Sequence, residues 1–403
     1  MRLVGQQEIH TAHEHLGGVV RRTPLEHSRV LGEHSGGEVY LKCENLQRTG
    51  SFKLRGAFTR LRNLTSEQAA GGVVAASAGN HAQGVALAAS LLGIPSTVFM
   101  PDRAPLPKLS ATKSYGAEVH VGGVNLQDTL TVAVEHAEKA GSVFIHPFDH
   151  PDIVAGQATV GVEILRQLPE VATIAVPTGG GGLVSGVAAA VKAERPDVRV
   201  VAVQAAQAAA WPGSLAAGRP LAVDSNRTMA DGIAVSEPGE VTFAHVNALV
   251  DGVLTVSEES LSQALLSCLE RAKLVAEPAG VAAVAGMLEH PEQFRSPTVA
   301  VLSGGNIDPL LLHRLISHGM TSAGRYLSLR VRIPDQPGSL AALLADIGEL
   351  SANVLDIEHS RISGALALGE VDVEISLETR GPEHREHVVA ELERSGTRVI
   401  GSR

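Results

Sequence analysis

Four short segments place residue types where they could do chemistry. The first is ENLQRTGSFKLRG (44–56), which holds Lys53, one of only seven lysines in the chain. Gly50, Ser51 and Phe52 precede it, and a helix is expected to follow. Partial desolvation and the positive end of a helix dipole would both lower the pKa of such an amine and favour it as a nucleophile. Taken alone, it reads more readily as a solvated lysine at a helix start. The second is SAGNHAQG (77–84), with no acidic residue. Backbone N–H groups of Gly79, Asn80 and His81 at a helix N-terminus would welcome a carboxylate or phosphate. A plain strand–helix turn with an Asn cap is the simpler reading of that segment by itself. The third is TGGGGLVSG (178–186). Successive glycines between a strand and a helix let backbone N–H groups form a nest for one monophosphate. No Gly-Lys-Ser/Thr follows, and Ser185 stands where a dinucleotide fingerprint needs its third glycine. The fourth is SGGN (303–306), which presents Ser303 after a strand and alone would be an ordinary turn.

Together these segments supply a reactive amine, a monophosphate nest, a carboxylate cradle and a strand-end hydroxyl. Those are the parts needed to hold pyridoxal phosphate together with an amino acid.

The elements that must position them are legible from about residue 38 to 315. GGVVAAS (71–77), PSTVFMP (95–101), AEVHVGG (117–123), VATIAVP (171–177), VRVVAVQ (198–204) and PTVAVLSGG (297–305) read as strands. HAQGVALAASLLG (81–93), LQDTLTVAVEHAEKAG (126–141) and LVSGVAAAVKAERP (183–196) read as helices between them. Alternation of this kind predicts an α/β fold with mainly parallel sheets, and places ligands beyond the carboxyl ends of the strands. After about residue 320 the rhythm changes. YLSLRVRIPD, PGSLAALLADIGELS, NVLDIEHSRI, ALGEVDVEISLE, PEHREHVVAELERSG and TRVIG follow in the order βαββαβ, a ferredoxin-like unit. A boundary is expected near 321–325.

The chain has 403 residues, with 33 basic and 43 acidic side chains and a net charge of −10, which argues against phosphate-led nucleic-acid binding. Cys43 and Cys268 are too few for a disulfide framework or a four-sulfur zinc site. The start is polar and charged, and no uncharged apolar run reaches the ~18 residues of a membrane span. A cytoplasmic protein without nucleic-acid or membrane partners is expected. His10, His13 and His15 lack HEXXH spacing and read as one face of an N-terminal helix. No metal site is expected.

The ordered set RTPLEHS (22–28), ENLQRTGSFKLRG, SAGNHAQG, TGGGGL, ADGIAV (230–235), EPAG (277–280) and SGGN resembles the serine/threonine dehydratases. These are fold-type II, tryptophan-synthase-β-like enzymes that use pyridoxal 5'-phosphate. The tail, with IPDQPGSL (333–340) and NVLDIEHSR (353–361), resembles an ACT domain. The resemblance implies a catalytic domain over 1–320, with a smaller subdomain at roughly 42–150, and a regulatory domain over 325–403. It implies that Lys53 forms the internal Schiff base, that Phe52 packs against the ring and that Asn80 bonds the ring 3′-oxygen. It implies further that Gly179, Gly180, Gly181, Gly182 and Leu183 cradle the phosphate and that Ser303 faces the pyridine nitrogen. Ser77, Ala78, Gly79, Asn80 and His81 would line the substrate carboxylate. Serine racemases of the family carry a second serine where this chain has Ala78, so racemisation should be poor.

The activity implied is deamination of L-threonine to 2-oxobutanoate and ammonia, in isoleucine biosynthesis or threonine catabolism. A serine-preferring or broad hydroxy-amino-acid dehydratase is the nearest alternative, and a non-catalytic amino-acid sensor the alternative of another class. An amino-acid effector is expected at the ACT domain, with Asp335 and Asn353 as candidate contacts, and a homodimer or homotetramer is expected by the same resemblance. QAAQAAAW (204–211) has no carboxylate for a divalent ion and leaves only a monovalent cation on carbonyls open. Glu277 reads equally as a group near the cofactor ring and as a solvated or capping carboxylate.

Overall fold

A computed structural model describes residues 2–102, 104–124, 126–224, 228–361 and 367–402. The chain separates into two compact units, Met1–Asp308 and Pro309–Arg403. In the first unit the strands are β1 (Leu25–His27), β2 (Val39–Cys43), β3 (Val73–Ala76), β4 (Ser96–Met100) and β5 (Glu118–Val121). They continue with β6 (Val143–Phe144), β7 (Thr173–Pro177), β8 (Arg199–Ala205), β9 (Gly252–Val256) and β10 (Thr298–Leu302). A six-stranded sheet runs β1-β2-β10-β7-β8-β9, and a four-stranded sheet runs β5-β4-β3-β6. Every pairing is parallel except β1 with β2.

The apolar runs explain the layering. β7 and β10 are buried at every position, as strands covered on both faces must be. β2 lies beside β10, with Leu41 opposite Ala300, although the four-stranded sheet lies between them in sequence. Helix Pro151–Gln167 has no counterpart among the expected elements. It is buried on almost every face, so its sequence lacks the polar stripe that marks a surface helix. β1 and β9 are likewise absent from the sequence reading; both are edge strands, three and five residues long, in the six-stranded sheet.

Helices Lys53–Arg62 and Pro151–Gln167 approach backbone to backbone. A Cβ on Gly156 would lie 2.4 Å from the Arg55 carbonyl and 2.6 Å from Gly56 Cα. Beside this crossing runs a buried ion network. Arg55 Nε and Nη2 each donate to Glu44 at 2.8 Å, and Arg55 Nη1 donates to Glu163 at 2.8 Å and to Thr159 Oγ1 at 3.1 Å. Lys42 Nζ donates to Glu163 at 2.6 Å, to the Thr23 carbonyl at 2.9 Å and to Gln167 at 2.8 Å. Burial alone would raise the Glu44 carboxyl, but the Arg55 guanidinium outweighs it and holds the group below its ordinary range.

The second unit holds helix Pro309–Ser322, β11 (Tyr326–Pro334), helix Ser339–Glu349, β12 (Asn353–Ser360), β13 (Glu370–Glu378), helix Pro382–Arg394 and β14 (Arg398–Ser402). Its sheet is antiparallel in the order β12-β13-β11-β14. That is the ferredoxin-like arrangement, with Leu327, Leu329 and Val331 on one face against Leu343, Ile347, Val388 and Leu392 of the two later helices. Ile362, the last residue of the expected strand 353–362, lies outside the described residues.

Arg55→Met should cost about 3–5 kcal/mol, because it leaves Glu44 and Glu163 buried without their shared cation. Urea unfolding measures this, and a loss below about 1 kcal/mol would contradict the network's structural role.

Candidate active site

The loops singled out in the sequence all leave the carboxyl ends of strands. Gln47–Phe52 follows β2 and its short 44–46 turn, Ser77–Gly79 follows β3, Gly179–Gly181 follows β7 and Ser303–Asn306 follows β10. Main-chain bonds knit them together. The Phe52 N–H donates to the Ser303 carbonyl at 3.2 Å and the Gly305 N–H to the Gly50 carbonyl at 2.8 Å. The Glu277 N–H donates to the Gly304 carbonyl at 3.1 Å. Gly50 has φ +69, a left-handed backbone, and a Cβ there would strike the Asn306 side chain at 2.2 Å.

Lys53 is the first residue of helix Lys53–Arg62, and its Nζ donates to the Pro147 carbonyl at 2.9 Å. Burial lowers its pKa to about 8, against an upward pull from Glu277. Such an amine is appreciably neutral near physiological pH. Two histidines beside it stay neutral. Burial lowers His81 to about 3, helped by Lys53, and its Nε2–H donates to the Ile145 carbonyl at 2.8 Å. Burial also lowers His146 to about 4, and its Nδ1 accepts from the Asp149 N–H at 2.8 Å. The His81 ring is therefore committed to the protein.

The glycine loop is shaped from both sides by aromatic rings. A Cβ on Gly180 would lie 2.4 Å from the Phe148 ring, and one on Gly181 2.5 Å from the Trp211 ring. Gly181 also has φ +93. Trp211 Nε1 donates to the Gly179 carbonyl and Thr242 Oγ1 to the Gly180 carbonyl, both at 2.7 Å. Those bonds hold the carbonyls at one side, while helix Gly182–Glu194 begins with no side-chain cap. A Cβ-free turn over an uncapped helix N-terminus fits a phosphate. Lys53, the half-buried Phe52 and the buried Ser303 complete a set that fits pyridoxal phosphate. The Leu183 side chain belongs to the core of the six-stranded sheet, leaving only its main chain at the loop.

Asn80 is the first helical residue after Gly79, not a cap. Its Nδ2 donates to Glu277, and its Oδ1 accepts from Asn306 Nδ2 at 2.7 Å. Glu277 is buried, so the solvated reading of that residue does not hold. Burial raises its pKa to about 7; Lys108 pulls down, Asp231 up, and Asn80 and Lys53 down. Ser77 Oγ accepts from the Gly79 N–H at 3.1 Å, and Ala78 is half-buried in the same turn.

Pro147, His146, Phe148, Trp211 and Thr242 were not singled out in the sequence. The one signal for the first three was HPFDHP (146–151) after a short apolar pair, two histidines and two prolines at a strand's end.

In the second unit Asp335 forms a two-bonded pair with Arg361 at 3.0 and 3.1 Å, and Asn353 reaches Glu378 at 3.4 Å. The register sets Pro334 opposite Glu370 and Asn353 opposite Glu378. The two candidates therefore lie at opposite ends of the sheet, about 25 Å apart at ~3.3 Å per residue. Within one chain they do not form a single site. Among the described residues no group of three His, Cys, Asp or Glu could hold a metal. In the 204–211 stretch, Gln204 Nε2 donates to the Ala208 carbonyl at 3.3 Å.

The Glu277 shift has a stability consequence in the apoprotein. Its folded pKa, about 7, lies above its ordinary 4.5, so the folded chain binds the extra proton. Its contribution is fully present below about 4.5 and is lost as pH rises to about 7. Glu277→Gln should remove that part of the fall in urea midpoint between those pH values. An unchanged slope would contradict the raised pKa.

Residues 17–304 match the family described as pyridoxal-phosphate dependent enzyme. An L-threonine ammonia-lyase of Geobacter sulfurreducens is 46% identical over 389 residues, covering 96% of this chain and 97% of that one. An L-threonine ammonia-lyase of Thermotoga maritima is 44% identical over 401 residues, covering 99% and 100%. The crystal structure of a threonine deaminase from T.th. aligns with a TM-score of 0.72 at 41% identity, over 75% of this chain and 99% of that one. Maize serine racemase aligns with a TM-score of 0.74 at 34% identity, over 80% and 99%. The Lys53 amine and the glycine turn thus lie within the matched region, and the chain belongs to the pyridoxal-phosphate dependent enzyme family.

Proposed function

We propose that this chain is a lyase that deaminates L-threonine to 2-oxobutanoate and ammonia. The carrying observation is Lys53, an amine lowered to about 8 at the meeting of four strand-end loops. The two L-threonine ammonia-lyases that match nearly the whole chain support the substrate.

Lys53 would hold the cofactor covalently, with Phe52 and Asn80 beside its ring, the N–H groups of Gly179–Leu183 on its phosphate and Ser303 at its ring nitrogen. When bound, pyridoxal phosphate supplies the electron sink that lets the Cα proton and then the β-hydroxyl leave. The Lys53 amine, kept partly neutral by burial, would be the base for that Cα proton. Neutral His81 and His146 add no charge that would compete for it. Main-chain N–H groups of the 77–81 turn would take the substrate carboxylate. Ala78 has no proton to move on the opposite face of Cα. Ser303 would offer the ring nitrogen a neutral hydroxyl rather than a charged partner.

The ferredoxin-like unit, with its PDQPGS loop (334–339), would act as an ACT-type regulatory domain binding an amino acid beside the Asp335–Arg361 pair. A homodimer or homotetramer in the cytoplasm suits that arrangement; no helix among the described residues is long and apolar enough to cross a membrane. Serine remains the competing substrate, because one methyl group is worth only about 1–3 kcal/mol of discrimination.

Purified protein should release 2-oxobutanoate from L-threonine faster than pyruvate from L-serine, and make little D-serine. Lys53→Ala should lose the absorbance of the bound cofactor and at least ~10³-fold of activity. Equal turnover of serine, or comparable D-serine, would overturn the reading. Titration with branched-chain amino acids should change the rate in the full chain and not after deletion of 325–403.

A further inference from the structure

Lys108 has no role in the arrangement above, yet it stands over the 77–80 turn. It belongs to helix Leu106–Ser114, whose Leu109, with the following Tyr115, packs against Ala82 and Ala86 of helix Asn80–Leu92. A Cβ on Gly79 would lie 3.6 Å from Lys108 Nζ. The Lys108 side chain is only 12% exposed, and its partner among the described residues is Asp231 Oδ2 at 3.4 Å, from a side chain 63% exposed. That contact is longer than a normal N–H···O bond, and an ammonium carries three donors. A largely desolvated cation with spare donors therefore sits beside a turn in which the Ser77 and Gly79 N–H groups already donate to the Phe99 carbonyl and to Ser77 Oγ, so that Ala78 and Asn80 are the main-chain donors left to a ligand there. Asp231 and Glu277 are the acidic groups around it.

We propose that Lys108 is a specificity-determining residue that binds the α-carboxylate of the amino-acid substrate, exchanging its loose contact with Asp231 for that carboxylate. This rests on the reading of residues 77–81 as the carboxylate cradle. The Ala78 and Asn80 N–H groups supply direction, and Lys108 supplies the full charge that separates an amino acid from its amide or ester. The helix contacts of Leu109 and Tyr115 fix where that charge stands.

The test titrates the holoenzyme with L-threonine and with L-threoninamide, following the absorbance of the bound cofactor and, for threonine, KM and kcat. Lys108→Met should raise Kd and KM for L-threonine by roughly 10–100-fold, the worth of a charge-assisted hydrogen bond. It should leave kcat and the affinity for the amide within about threefold, while Lys108→Arg keeps most of the threonine affinity. Equal weakening of acid and amide, or unchanged threonine affinity in Lys108→Met, would overturn the assignment alone. A wild-type holoenzyme whose spectrum does not respond to L-threonine would overturn the proposed function with it.

Discussion

The first unit is organised around a buried cation, the Arg55 guanidinium, which Glu44 and Glu163 neutralise from two different elements. Charges in a protein interior are tolerated only when paired and fully hydrogen-bonded, so their geometry is tightly constrained. Lys42 closes the second carboxylate, and Thr23 Oγ1 donates to Glu44 at 2.6 Å. The network fixes the turn after β2, the start of helix Lys53–Arg62 and the middle of helix Pro151–Gln167 relative to one another. Arg55 is two residues from Lys53. Whatever holds its guanidinium also sets where the Lys53 amine emerges.

That constraint explains why the site amine has an unusual environment. The Lys53 helix is pressed against Pro151–Gln167 at two glycines, and the loop leading into the second helix supplies both the Pro147 carbonyl and the Phe148 ring. The same loop reaches further: Asp149 accepts from the Glu240 and Thr242 N–H groups at 3.1 and 3.0 Å. Thr242 in turn donates to Gly180. A continuous chain of contacts thus runs from the Lys53 carbonyl partner to the glycine turn. The Lys53 amine and the glycine turn share one scaffold.

Much of the candidate site was legible in particular residues. Lys53 stood out because lysine is rare in this chain, and the glycine run because its backbone freedom is costly without a reason. The structure supplies part of that reason differently: Phe148 and Trp211 already forbid side chains at Gly180 and Gly181. The glycines serve packing whatever else they do. Other parts were not legible. Helix Pro151–Gln167 is buried all round, and periodicity reports only helices with two unlike faces. Glu277 reads in the sequence equally as a group near the cofactor ring and as a solvated or capping carboxylate, and only its neighbours make it a buried partner of Asn80.

The sequence by itself determined the elements and the residue types. Apolar runs, alternating patterns and glycine turns act locally, through backbone geometry and hydrophobic period. It thus specified parallel sheets, a ferredoxin-like tail and four loops that carry Lys53, a glycine run, the 77–81 turn and Ser303. Tertiary structure alone decided which of these meet and in what state of charge. Asp335 and Asn353 look like one site in the sequence and are separated by the length of β13. Lys108 and Asp231 are far apart in sequence and meet at 3.4 Å beside Gly79. The physical reason is that register, burial and charge balance are properties of the assembled neighbours, and no single segment carries them.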